Sequence, residues 1–113
     1  MIVQAPLLQL TVVRARWRDQ IMHDLRLQYS TKVIGYHMAD YITMDHTRQR
    51  YRETGKIVIF PSQELLHDKT GANPDTVMEA VKQLIRRGHL ELLAKGNQYT
   101  GSNQYRVILR KAA

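Results

Sequence analysis

Asp75, Thr76, Glu79, Lys82, Gln83 and Arg86 recur three or four positions apart along one stretch of the chain. Val77, Val81 and Leu84 interleave with them, with Met78, Ala80 and Ile85 alongside. The stretch therefore reads as a helix with an apolar face and a polar one. The polar face offers hydrogen-bond chemistry. Thr76 and Gln83 can bond to base edges or phosphates, Lys82 to guanine or a phosphate, and Arg86 to a phosphate. Glu79 can accept from a cytosine amino group. Asp75 suits the positive end of a helix.

Covalent and metal chemistry have no motif to rest on. His23, His37, His46, His67 and His89 show no i, i+4 pairing and no glutamate at zincin spacing. The chain has no cysteine, so neither a thiolate metal site nor a cysteine nucleophile is available. The segment from Gly96 to Gly101 lacks the strand–loop–helix setting of a phosphate loop, and no G-K-[ST] follows it. No enzymatic activity and no cofactor are expected.

The elements that must carry the polar face are legible from their ends. Ser62 is an N-cap candidate for a helix whose apolar edge is Leu65 and Leu66. Gly71 fits the left-handed stop after it. Asn73 caps the next helix and Pro74 takes its first position. Gly88 closes that helix, with Arg86 and Arg87 in the last turn. A short helix, a glycine turn and a longer helix make a helix-turn-helix, whose second helix can enter the major groove of DNA. Ser62 and Gln63 then sit where backbone contacts are made.

After Gly88, Leu90–Leu93 is a short apolar strand and Lys95–Asn103 a polar loop with two glycines. Tyr105, Val107 and Leu109 alternate with Gln104, Arg106 and Ile108, the period of a half-buried strand. A helix-turn-helix followed by a hairpin is a winged helix. The run PSQELL, then TG, then a helix ending in L-x-x-x-G-x-L, then GSNQYRV, resembles the bacterial winged helix-turn-helix domains of plasmid, phage and chromosomal regulators and of replication initiators. The resemblance covers Ser30 to Leu109. It implies an α+β fold, a three-helix core with a two-stranded wing, and a double-stranded DNA-binding protein regulating transcription, replication or recombination. It also implies wing contacts from Lys95, Asn97, Gln98 and Tyr99. Lys95 is assigned to a phosphate, and Asn103, beside Gly101 and Ser102, to the turn. Related domains often carry Arg or Lys where this chain has Asp75 and Glu79. That departure leaves a second possibility, in which the wing and arms bind while this helix does not read bases. The competing class is a winged helix that serves a protein assembly.

Charge points the same way. Seventeen Lys and Arg stand against ten Asp and Glu, for a net +7 and a pI near 10.0, which favours a polyanionic partner. No apolar run approaches the roughly 20 residues that span a membrane. Met1–Val13 lacks the basic start and small-residue cleavage site of a signal peptide. A cytoplasmic protein is expected.

The remaining segments divide the 113 residues into an N-terminal arm with an amphipathic helix, 1–29, and the winged helix-turn-helix, 30–110. Met1–Leu8, with Pro6, reads as an arm. Leu10, Val13, Trp17, Ile21 and Leu25 fall three or four apart and predict a helix from about Val12 to Arg26. That stripe exceeds what a small core needs, so it is expected to form a homodimer interface. The alternative is that it folds back on its own domain and hides Trp17. A further helix begins at Ser30 and Thr31, with Ile34, Met38 and Ile42 as its stripe. Lys32 and the free amides at its start either hold a phosphate or form an ordinary solvated helix start. Thr43–Lys56 is long for a connector. Its Arg48-x-Arg50-x-Arg52 is one face of an extended arm reaching DNA, a solvated loop, or an extension of the preceding helix. Ile57–Phe60 is a short strand.

Overall fold

The computed structural model describes residues 8–96 and 103–110. Helix α1 spans Leu10–Met22, α2 Tyr29–Met38 and α3 Asp45–Thr54. A short 3-10 helix, Ala39–Thr43, joins α2 to α3. Strand β1 is Val58–Ile59, α4 is Gln63–Thr70, α5 is Pro74–Arg86, β2 is Leu90–Ala94 and β3 is Gln104–Val107. The fold is α+β: among the described residues, five α-helices and one antiparallel sheet in the order β1-β3-β2. The expected arm at Met1–Leu8 lies outside the described residues except for Leu8. The same holds for Asn97, Gln98, Tyr99 and Ser102.

Local signals set α4 and α5. The Ser62 hydroxyl accepts from the Leu65 amide at 3.3 Å, and Asn73 Oδ1 accepts from the Thr76 amide at 2.8 Å. Each cap satisfies a helix-end donor that has no partner within the helix. Gly71 carries φ +72 between the two helices, a conformation that a side chain disfavours. Leu66 is buried, but Leu65 is 45% exposed, so the apolar edge of α4 is narrower than the sequence suggests. On α5, Val77, Ala80, Val81 and Leu84 are buried.

Helix α1 differs from its expectation in length and in partner. It ends at Met22, and Leu25, beyond it, is 93% exposed. Leu10, Val13, Trp17 and Ile21 are at most 4% exposed within the single chain. They belong to one apolar cluster with Ile34, Met38, Leu84, Leu90 and Val107. The stripe expected to make a dimer interface is therefore consumed by the chain's own core, and Leu25 is not part of it. Trp17 completes the docking by donating its Nε1–H to the His89 carbonyl at 3.1 Å.

The 45–54 segment is neither an extended arm nor a loop. It is α3, a separate helix stopped by Gly55. Thr47 and Tyr51, one turn apart, are its buried residues. The Thr47 hydroxyl donates to the Val58 carbonyl at 2.9 Å, which ties α3 to β1. The hairpin pairs Leu90 with Val107 and Leu92 with Tyr105, and its register shifts between Leu92 and Ala94.

Candidate nucleic-acid interface

Asp75, Glu79, Lys82 and Arg86 project from α5 on the side away from its buried face, and all four are exposed. Spacings of four, three and four put them in one row along the helix. Glu79 and Arg86 are tied to each other, Oε1 to Nη2, at 2.9 Å. The pair is solvated, so it contributes little to stability, but it occupies the Arg86 guanidinium in a row whose two carboxylates balance its two cations. Thr76 is half-buried beneath the Asn73 cap.

Gln83 departs from its expected place. It is half-buried, and its Oε1 accepts from the Thr31 hydroxyl of α2 at 2.7 Å. It faces the neighbouring helix rather than outward, so its carbonyl positions α5. Lys32, for which the sequence leaves a phosphate contact and a solvated helix start both open, donates to the Met22 carbonyl at 2.8 Å and bridges α2 to the end of α1.

Ser62 spends its hydroxyl on the α4 cap, and its amide donates to the Tyr41 hydroxyl at 3.2 Å. Gln63 next to it is exposed. Gln63, Lys82, Lys95 and Asn103 rim a groove of about 310 Å³ between α5 and the hairpin. Its floor is apolar, with Met78, Val81, Ile85, Leu92 and Tyr105. The turn expected of Asn103 with Gly101 and Ser102 lies outside the described residues, but Asn103 itself ties the hairpin together. Its Oδ1 accepts from the Gly96 amide at 2.7 Å, and its Nδ2 donates to the Tyr105 hydroxyl at 3.0 Å.

The three arginines of α3 separate by face. Arg50 is half-buried and donates Nη1–H to Gln104 Oε1, on β3, at 3.4 Å. Arg48 and Arg52 are exposed and line a shallow groove against Leu8, Gln9 and Leu10. A helix turns about 100° per residue, so positions two apart cannot share a face as they would on a strand.

A buried polar cluster behind the interface gave no signal in the sequence. The His89 side chain is fully buried. Its Nε2 lies 2.8 Å from Asp24 Oδ2, and its Nδ1 lies 2.8 Å from the Gln20 amide nitrogen. Gln20 also donates to the Ile108 carbonyl and accepts from the Arg110 amide. The amide nitrogen must therefore donate to Nδ1, which assigns a neutral imidazole with its proton on Nε2, given to Asp24. Arg87 grips the same carboxylate with two nitrogens at 3.0 and 3.2 Å. Burial alone would raise the Asp24 carboxyl. The hydrogen bonds from Arg87, His89 and the Arg26 amide, with the Arg87 charge, outweigh it and hold the group well below the usual carboxylate range. Burial lowers His89. Its bond to Asp24 offsets part of that, while the Arg110 and Arg87 charges add to it. Arg110 further donates to the Arg87 carbonyl. The cluster locks α1 to the end of α5 and the base of the hairpin.

Among the described residues, no group of three His, Asp or Glu side chains gathers to hold a metal ion, and no helix is long and apolar enough to cross a membrane. Comparison with protein-family models, with curated proteins and with solved structures finds no match for the chain.

Proposed function

We propose that the chain is a winged helix-turn-helix protein that binds double-stranded DNA and regulates transcription, replication or recombination. The element order supports this reading. Helix α2, strand β1, helices α4 and α5, and strands β2 and β3 follow one another as in a winged helix, with β3 between β1 and β2. Helices α1 and α3 are additions to that plan. The role places the chain with its DNA, in the cytoplasm.

The observation that carries the reading is the placement of α5. Its inner face is buried against α2 and the sheet, while Asp75, Glu79, Lys82 and Arg86 stand exposed beside a hairpin that bears Lys95. A helix so placed can enter a major groove while the hairpin follows the backbone. The net charge of +7 supplies the attraction. A mobility shift with mixed-sequence duplex, followed by selection of bound fragments from a random library, tests it. Retention and enrichment of a shared sequence are expected. A protein that shifts no duplex at low salt contradicts the reading.

One observation favours a second reading, an interaction module for a protein partner. The groove between α5 and the hairpin has an apolar floor in which Met78 is 45% and Leu92 37% exposed. Under that reading, Met78→Lys leaves DNA retention unchanged and abolishes partner binding.

A further inference from the structure

The hairpin has two flanks, and α5 occupies only one. Val58 pairs with Arg106 across β1 and β3, so both side chains leave the sheet on the same face. That face is opposite the core, because Tyr105 and Val107, on either side of Arg106, are buried. Gln104 shares the outer face with Arg106 by the same alternation. Val58 is nonetheless fully buried while standing outside the main apolar cluster. Helix α3 covers it, anchored by the Thr47–Val58 bond. The hairpin therefore runs between α5 and α3.

Arg50 is the α3 side chain that reaches the hairpin. It lies against Gln104, the first residue of β3. One of its five N–H donors meets a neutral amide, and among the described residues no carboxylate pairs with it. This long contact, at 3.4 Å, sets the guanidinium beside the strand and leaves its other donors for a ligand. Arg106 lies on the same face, 3.7 Å from Glu91 and nearly half-exposed.

We propose that the α3 flank is a second backbone-contact surface for duplex DNA, with Arg50 as its phosphate ligand. The proposal rests on the DNA-binding reading above. A hairpin that enters a DNA groove meets a phosphodiester strand on each wall. Lys82 and Lys95 face the wall on the α5 side. Arg50 faces the other, so the protein straddles the groove instead of leaning on one wall. Arg48 and Arg52, turned toward Leu8 and Gln9, take no part in this contact.

The test uses the full chain and a mixed-sequence duplex in anisotropy titrations over a salt series. Arg50→Ala is expected to weaken binding to all sequences alike and to make the slope of log K against log salt shallower by about 0.9, one phosphate's share. Arg50→Lys should keep the slope, and Arg48→Ala and Arg52→Ala should leave it at the parental value. Hydroxyl-radical cleavage of the complex with the unaltered chain reads the same contact without any substitution. Protection of both walls of the groove occupied by the hairpin is expected. A parental slope in Arg50→Ala, or protection of the α5-side wall alone, overturns the proposal and leaves the DNA-binding reading standing. A chain that binds no duplex overturns both.

Discussion

Lys82 and Gln83 are neighbours in sequence and point to different partners. Lys82 is exposed on the outer row of α5, whereas Gln83 is bonded to Thr31 of α2. Lys82→Ala is therefore expected to weaken specific binding more than non-specific binding, by about 1–3 kcal/mol if it contacts a base. Gln83→Ala should lower both alike and reduce folding stability by about 1 kcal/mol. Glu79→Ala releases Arg86, so non-specific affinity should rise while preference at one base pair relaxes. Titrations on selected and random duplexes, with thermal melts of each variant, separate these outcomes. Acid sensitivity belongs to the same scale. Asp24 and His89 are both shifted down on folding. The unfolded chain therefore takes up protons first, and the stability each group contributes is lost as pH falls. Stability should be full above the ordinary histidine value of about 6.5 and decline below it, with Asp24 adding to the loss at pH values under its ordinary 3.8. His89→Gln should flatten the decline just below pH 6.5 in a series of urea melts. The helix caps at Ser62 and Asn73 were legible because cap and target lie three residues apart. The Asp24–His89 pair spans 65 residues, and nothing local marks either member.

Helices α1 and α3 show what periodicity conveys and what it omits. The stripe of α1 identified the helix and its inward residues, but the pattern is the same for a stripe facing a second chain and one facing its own core. Only the packing of Trp17, Ile21 and their neighbours decides between them. Trp17→Ala is expected to cost about 3–5 kcal/mol, because it empties a fully buried site and removes one of the two donors to the His89 carbonyl, leaving the Ile108 amide as the other. Removal of residues 1–26 should yield an unfolded chain by circular dichroism. A folded truncated protein would show that α1 is dispensable. For α3 the sequence leaves an extended arm, a loop and a helical extension of α2 all open, because its inward signal is one pair, Thr47 and Tyr51, in a run of charged and polar residues. Reading that run as extended placed its three arginines on one face. The helix sends Arg50 to the hairpin and Arg48 and Arg52 toward α1.

At the scale of the whole molecule, burial of the α1 stripe removes the apolar surplus that argued for a homodimer. Sedimentation at micromolar concentration is expected to give the monomer mass. A dimer would have to use other apolar side chains, such as Leu25 at 93% and Tyr29 at 77% exposure. Charge is the property that links the molecule to its proposed partner. Exposed cations sit on α5 and the hairpin, and half-exposed Arg50 on α3, spread wide enough to meet about four to eight phosphates. The measurement that bears most directly on DNA binding is the affinity of the intact chain for a mixed-sequence duplex between low and physiological salt. A straight fall of log K with log salt, at about 0.9 per phosphate and hence a slope between about −4 and −7, is expected. A flat response, or no binding at low salt, would contradict it.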